Sequence, residues 1–459
     1  MKKRFNIFSI ALITLFLLST SIYAQPMKTG RALGLAGASG GAMFGVQAPG
    51  WNPANLGLSS NPTYSFYLPL SGGGSFGNNA FSPEYLTETF VKGAYLDDPK
   101  KLEILGKMEA DDFKLYSYSG VPIFGVSVNS HSFNIESFVF LDTKIPRDIF
   151  DLILSGNDTT KSYNLSDVDS EVIGYATASY SIAKAFSSPH HLLREFSLGA
   201  TFKYIYGIAG GVLDKHEGHI LINNETIDAS GNFRYLLSEK GDGVGLDLGA
   251  AGVIDPIDTY VGLTIGNLIG NISWTETEAN QIEFSHQGGV EIDSLMETDY
   301  WKRFFNDSDT TFDAGDFDTP LPRYFLLSGQ KTFLDDNVDV FLSWYQGLNE
   351  SSGHSRIPKV SAGTELTYVK FMPIRFGLGL GGIESTQYSF GFGFNTPAWQ
   401  MNIGMSWERG FAFGAEGMSF SLTNYFGQSY KKNKSTQHTL LERSNDFASQ
   451  VKSTTDLSN

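Results

Sequence analysis

Four stretches near the end of the chain alternate residue by residue: Gly377 to Gly382 (GLGLGG), Tyr388 to Asn395 (YSFGFGFN), Trp399 to Trp407 (WQMNIGMSW) and Met418 to Phe426 (MSFSLTNYF). A period of two places successive side chains on opposite faces of a strand. One face collects Leu378, Leu380, Tyr388, Phe390, Phe392, Phe394, then Trp399, Met401, Ile403, Met405, Trp407, then Met418, Phe420, Leu422 and Phe426. The other carries only small or uncharged polar residues, among them Gly377, Gly379, Ser389, Gly391, Gly393, Asn402, Gly404, Ser406, Ser419, Ser421 and Thr423. In a soluble sandwich the polar face meets bulk water and carries charge. A small, uncharged face suits a lumen instead, and aromatic residues near strand ends (Trp344, Tyr388, Trp399, Trp407, Phe426) suit the interfaces of a bilayer.

The alternation continues upstream, less cleanly, in Phe196 to Ile208, Val244 to Ala251, Val261 to Ile265, Val338 to Tyr345 and Val360 to Phe371. Turns are marked by Asp255-Pro256, Asp335-Asp336-Asn337, Met372-Pro373 and Thr396-Pro397. Weaker candidates at Thr63 to Leu70, Ile123 to Asn129, Phe133 to Leu141, Val172 to Ala183, Ile272 to Phe284 and Arg323 to Phe333 bring the total to about 14 antiparallel strands. A closed ring satisfies every backbone group in lipid. The expected fold class is all-β, an antiparallel transmembrane β-barrel. Ser82 to Ala110, Ile145 to Leu154 and Ile292 to Asn306 have helical spacing instead and read as short helices in long connections.

Targeting and composition agree with a barrel. Met1-Lys2-Lys3-Arg4, an apolar run from Phe5 to Leu18 and the small residues up to Ala24 make residues 1–24 a secretory signal peptide, with the mature chain starting at Gln25. The apolar run is shorter than the roughly 20 residues of a spanning helix, and no later stretch approaches that length. The chain has no cysteine, which removes disulfides, a lipoprotein anchor and thiol chemistry. With 33 basic and 49 acidic residues the net charge is −16, which argues against nucleic acid and against an anionic surface held by charge alone. Residues 428–459 are polar and read as a periplasmic tail following a barrel over residues 61–427.

No pattern of residues selects a catalytic site. His216 and His219, with Asp214 and Glu217, sit three apart, and on a strand that spacing points them to opposite faces, so they read as a solvated hairpin rather than a metal cluster. The acidic run Asn306 to Asp318 lacks the spacing of a calcium loop and reads as a solvated outer loop. No G-x-S-x-G, H-E-x-x-H or P-loop is present, and His131-Ser132 has nothing to mark a third partner. The expectation is a protein without enzymatic activity, metal or cofactor.

One segment fits neither strand nor helix. Gly30 to Leu58 (GRALGLAGASGGAMFGVQAPGWNPANLGL) is rich in Gly and Ala and holds a single charge, Arg31. A signal peptide, then R-A-L-G-x-A-G-A, then W-N-P-A-N-L-G-L, then an antiparallel barrel, resembles the FadL/TodX-like outer-membrane superfamily. GVGLDLGAAG (Gly243 to Gly252), GLTIGNLIGNISW (Gly262 to Trp274) and LPRYFLLSG (Leu321 to Gly329) look like its TraF-like and PorV/PorQ-like relatives. The resemblance implies 14 strands around an N-terminal plug, here residues 25–60, whose hatch motif is Asn52, Pro53 and Ala54 flanked by Trp51 and Asn55. It further implies a cell outer-membrane protein, in contact with outer-membrane lipid, that passes small hydrophobic molecules such as fatty acids passively. The alternative is a barrel without transport that meets envelope or secretion proteins, because the relatives include both kinds and fold does not fix function. Gly377, Gly379, Gly391 and Gly393 admit two readings, strand curvature or room for a plug.

Overall fold

The computed structural model describes residues 29–428 except 94, 109–111, 156–157, 159–160, 187–191, 223–225, 290–305 and 350–354. The signal peptide, the tail after Gln428 and nearly all of the helix expected at 292–306 lie outside the described residues.

Twenty strands share one antiparallel sheet. Its first wall position is filled by two short strands in turn, β1 (Tyr64–Tyr67) and β2 (Gly72–Asn78), both between β3 (Asp112–Val128) and the last strand β20 (Gly417–Gln428). From β3 the wall passes through β4 (His131–Pro146), β6 (Asp169–Phe186), β7 (Leu193–Ile222), β9 (Lys240–Ile254) and β10 (Thr259–Thr275). It continues through β14 (Tyr324–Phe333), β15 (Val338–Gly347), β16 (Lys359–Leu366), β17 (Ile374–Gly381), β18 (Thr386–Asn395) and β19 (Trp399–Glu408) to β20. The result is a closed antiparallel barrel of 14 wall positions, as the alternation predicts.

The break in the first position has a local cause. Pro69 has no N–H to give a ladder and Leu70 adopts a φ of 65°, so the strand cannot run through. Ser71 and Asn424 hold the bend: the Ser71 hydroxyl donates to the Asn424 carbonyl at 3.0 Å and accepts from the Asn424 amide at 2.8 Å.

The two faces sort as expected. Phe202, Tyr204, Leu342, Phe376, Leu378, Met418 and Phe420 are exposed on the outside, whereas Ser197, Thr201, Ser343, Ser389, Ser406, Ser421 and Thr423 are buried inside. Outward apolar side chains with inward small polar ones are the inverse of a soluble core, and lipid is the solvent that favours this arrangement.

The barrel is lopsided. Strands β14 to β20 have 8 to 12 residues, but those from β3 to β10 in the wall have 15 to 30. At the end where β1 starts, the connections are short, for example 129–130, 255–258 and 334–337. At the far end β7 overshoots the ring and pairs with β5 (Ser162–Asn164) and β8 (Thr226–Ser238), and β8 pairs with β11 (Glu278–Gly289), which pairs with β12 (Asn306–Asp313). The short β13 (Phe317–Pro320) lies along β10.

Several sequence expectations are corrected at this far end. The acidic run 306–318 is not a loop: it forms β12 and enters β13, because the open edge of β11 offers backbone partners and Thr310, Thr311 and Phe312 favour a strand. The stretch 272–284 is the end of β10 and the start of β11, parted where Glu276 takes a φ of 54°. Strand β16 stops at Leu366, short of Phe371. Residues 82–110 are helical in pieces, Pro83–Leu86, a π turn Thr87–Val91 and Asp98–Gly106, with Ser82 and Asp97 as caps. Strand β4 runs to Pro146 before the helix Arg147–Ser155 starts. These helices meet through Phe81, Ile104, Met108, Phe113, Phe150 and Leu154 and cover part of the far end.

Candidate lumenal site

Residues 29–58 lie inside the ring, at the end with short connections. Their backbone is compact: a helix Gly30–Gly34 and 3-10 turns Gly40–Ala42, Gly45–Gln47 and Pro53–Gly57. Short turns suit a sequence whose glycines and alanines give little side chain to pack and allow backbone to approach backbone. The wall answers in kind. A Cβ on Gly199 would sit 2.5 Å from the Ala54 amide nitrogen, one on Gly249 2.2 Å from Asn52 Oδ1, one on Gly377 2.5 Å from the Ala36 amide and one on Gly404 2.3 Å from the Gly30 carbonyl. These inward glycines make room for the segment. Of the four glycines singled out in the sequence, Gly377 and Gly391 meet it directly, while Gly379 and Gly393 meet wall side chains.

The two ends of the segment are fixed differently. At the first end Thr29 caps the helix, accepting from the Ala32 amide at 3.2 Å, and the Gly30 amide donates to Thr423 at 2.8 Å. Arg31, the segment's one charge, forks onto Glu365 with Nε at 2.9 Å and Nη2 at 2.8 Å. Arg375 Nε donates to the same carboxylate from the neighbouring strand, and Glu365 and Arg375 are 4% and 1% exposed. A buried carboxylate between two guanidiniums stays compensated while either remains, whereas its own removal strands both.

At the other end the polar groups are neutral. Asn52 caps the Pro53–Gly57 turn through Oδ1, which accepts from the Ala54 amide at 3.0 Å, and its Nδ2 donates to the Ala250 carbonyl at 3.0 Å and to Tyr260 Oη at 3.3 Å. Asn55 Nδ2 donates to the Gly40 and Met43 carbonyls, each at 2.8 Å, and its Oδ1 accepts from the Tyr260 hydroxyl at 2.7 Å. Pro53 supplies the first residue of the turn, and Ala54 is wholly buried against Tyr260 and Ala251. Trp51 lies between the two ends, among Ala32, Leu35, Met43, Tyr324 and Phe341. Its carbonyl accepts from Thr264 at 2.7 Å, but its indole N–H has no partner among the described residues. Of the five residues singled out in the sequence, Asn52 to Asn55 stand at the wall contact around Tyr260, Gly199 and Gly249, and Trp51 packs beside it between the two ends.

Their partners were not singled out. Tyr260, Thr264, Gly199 and Gly249 are unremarkable as sequence, and only strand register brings them to Asn52. Glu365 and Arg375 did carry a signal: with Lys359 they are charged residues on the inward parity of strands whose other inward residues are small or uncharged.

Above the segment, toward the far end, the lining changes character. Tyr116, Tyr118, Phe140, Ile173, Tyr175, Ile205, Ile272 and Trp274 form one buried cluster. His216 and His219 lie farther out on β7; His216 Nδ1 meets the Ser166 carbonyl, and His219 lies 3.3 Å from Ser230 and 3.6 Å from Asp228. Among the described residues no group of three or more His, Asp or Glu is placed to hold a metal ion.

The fold is similar, at low identity, to solved barrels. The toluene transporter TbuX of Ralstonia pickettii is 13% identical, with 89% of this chain and 100% of that chain covered and a TM-score of 0.48. A FadL homologue of Pseudomonas aeruginosa is 14% identical over 89% and 100%, with a TM-score of 0.43. The toluene transporter TodX of P. putida is 10% identical over 90% and 99%, also at 0.43. Among curated proteins nothing matches. The sequence itself gives the stronger relation: residues 57–406 match a family of unknown function, and the chain belongs to that family, DUF5723.

Proposed function

We propose that this protein is an outer-membrane channel through which small hydrophobic molecules pass by diffusion, gated by the segment within its lumen. The observation that carries the reading is that the lumen is occupied by a separate length of chain, residues 29–58, attached by a discrete set of contacts. A wall side chain can only change rotamer, but a tethered segment can leave as a unit. Support for a membrane setting comes from the outward apolar band and from the asymmetry of the connections, which puts the short turns in the periplasm. Opening on this reading separates Asn52 and Asn55 from Tyr260, exposing a path along the inward glycines of β7 and β9.

The test is flux into liposomes holding the purified chain, with toluene and a short fatty acid as probes, for the native protein and Asn52→Ala. Faster equilibration than in empty liposomes, raised further by the substitution, supports the channel. Rates equal to those of empty liposomes for both proteins sink it.

A second reading rests on a different observation. The helices at the far end and the link between them expose Phe90, Val91, Tyr95, Leu102 and Ile153, more apolar side chains than a solvated cover needs. A role in holding an envelope or secretion protein uses that surface and requires no flux. Replacing Phe90, Tyr95 and Leu102 by Ser leaves transport intact on the first reading and abolishes the protein's biological role on the second.

A further inference from the structure

The outward face of the wall is interrupted at one place. Register sets Phe376, Phe390, Met405 and Phe420 side by side across β17 to β20, a row of large apolar side chains. The next position in that row, in the register that puts Gly72 opposite Leu422, is Gly74 on β2, and beyond it stands Ser119 on β3. A row that is bulky on four strands is small on the next two, which leaves a gap in the apolar band. One step toward the far end, Leu378, Tyr388, Trp407 and Met418 form the neighbouring row, with Phe76 next to Met418. Phe411 packs on Tyr388 and Trp407 with ring centroids 6.0 Å and 5.0 Å away. An aromatic belt at the end of an apolar band marks the level of a bilayer interface.

After β2 the chain turns back over this gap. A Cβ on Gly77 would meet the lumenal Tyr116, so Phe76 and Asn78 on either side of it point outward. Asn78 holds the turn: its Oδ1 accepts from the Ala80 amide at 2.9 Å and its Nδ2 donates to the Phe81 carbonyl at 2.8 Å. The helical stretch Pro83 to Val91 then stands outside the wall, where Pro83 and Leu86 with Phe76, Met418 and Phe420 line a notch of about 320 Å³ beside Gly74. The stretch is two-faced. Glu84, Glu88 and Lys92 fall on one stripe, with Glu88 and Lys92 paired, whereas Leu86 and Phe90 fall on the opposite one. Leu86, Phe90, Phe76, Met418 and Phe420 are all exposed.

We infer that this stretch rests in the outer interface of the bilayer and that the notch between it and the wall holds one hydrocarbon chain of an outer-leaflet lipid. Continuity selects the occupant: the notch opens from the lipid-facing band at the level of the aromatic belt, its lining side chains are mostly apolar, and the charged stripe lies on the other side of the helix, where headgroups and water are. Strands β2, β3 and β20 stand between it and the lumen, so a solute inside the barrel does not reach it. A short two-faced helix gains its binding from the apolar area it buries, and a chain filling the gap beneath it completes that burial. The choice of leaflet rests on the orientation proposed above; the lipid contact itself requires no transport.

The chain has no cysteine, so single substitutions give unique labelling sites. Leu86→Cys, Glu84→Cys and Leu378→Cys each carry a small fluorophore on the full-length protein in vesicles of phosphatidylethanolamine and phosphatidylglycerol, with lipid brominated on its acyl chains as one quencher and aqueous iodide as the other. Leu378 reports the wall at the same level, away from the notch. The expected result is lipid quenching at Leu86→Cys within about two-fold of Leu378→Cys and at least about three-fold above Glu84→Cys, with the order reversed for iodide. Adding Gly74→Trp fills the notch from a strand position that suits an aromatic residue and should lower lipid quenching at Leu86→Cys about two-fold or more, leaving Leu378→Cys unchanged. Lipid quenching at Leu378→Cys but not at Leu86→Cys, equal iodide quenching at Leu86→Cys and Glu84→Cys, or no response to Gly74→Trp overturns the inference. Shielding of Leu86→Cys from both quenchers means that a protein surface, a second copy included, covers the stretch, which overturns it as well. Heat-modifiable migration checks that each variant is folded. Liposome flux separates this from the channel: the expected quenching without flux retains the lipid contact and removes the channel, flux without quenching at Leu86→Cys does the reverse, and no lipid quenching even at Leu378→Cys sinks both.

Discussion

The Arg31 end and the Asn52 end of the lumenal segment are both buried, yet they resist removal for different reasons. At the first, one carboxylate is shared by two guanidiniums, and Arg31 leaves only by giving up two charge-assisted bonds to Glu365 at once in a place water reaches poorly. At the second, three neutral hydrogen bonds join Asn52 and Asn55 to the wall and can be exchanged one at a time for water. Opening should therefore begin at the Asn52 end. That end is also the nearer to β1 in sequence, so it can swing on its tether without releasing the charged end.

The largest effect should come from breaking the charged end in the wrong place. Glu365→Ala strands Arg31 and Arg375 together and should cost about 3–5 kcal/mol, read as a lower urea midpoint for the folded, fast-migrating form. Arg31→Met leaves the Glu365 to Arg375 pair intact and should cost clearly less. Equal losses for the two would show that Glu365 is not the group on which the other two depend.

Next come the wall glycines at the neutral end. Gly249→Val places methyl groups where Asn52 Oδ1 now lies, 2.2 Å from the nearest substituent position. The barrel should persist, since valine suits a strand, while the overpacking costs about 1–3 kcal/mol against docking of the segment. Protease cleavage within 29–58 in the otherwise folded protein measures this. No gain in cleavage would mean that the wall yields and the segment does not.

How much of this was legible depends on what each region packs against. Between Ile374 and Gln428 the strands are short, span one apolar band and alternate without interruption, so their faces follow from parity. On the longer side bulges shift that parity. The register slips between Pro122 and Phe124 in β3 and between Leu213 and Lys215 in β7, and a reader counting by twos sees a strand start or stop where the chain runs on. Beyond the ring β8, β11 and β12 have no lipid on one face, so the signal that marks the others is missing. The site divided in the same way. Trp51 to Asn55 stood out because a small, uncharged, Asn-Pro-containing stretch is poor in every regular element. Tyr260 and Thr264 each lie inside an ordinary strand, and the contact that gives them a role is with residues more than two hundred positions away in the chain.

Tyr260→Phe is the finest probe of the comparison. It removes one hydroxyl from the neutral end, the one that donates to Asn55 and accepts from Asn52, while keeping the ring against Ala54. Asn52 retains its bond to Ala250 and its cap on Ala54, and Asn55 retains both carbonyl partners. The loss should be about 1 kcal/mol, a several-fold change in the closed-to-open ratio that thermal melts of the barrel barely register. Flux does register it, because passage samples the open state. Tyr260→Phe should therefore raise the rate of hydrophobic probes a few-fold with the melting profile unchanged, and combining it with Asn52→Ala should give less than the sum of the two effects, since they share a bond. Full additivity would place Tyr260 outside the latch and return the softness of this end to Asn52 alone.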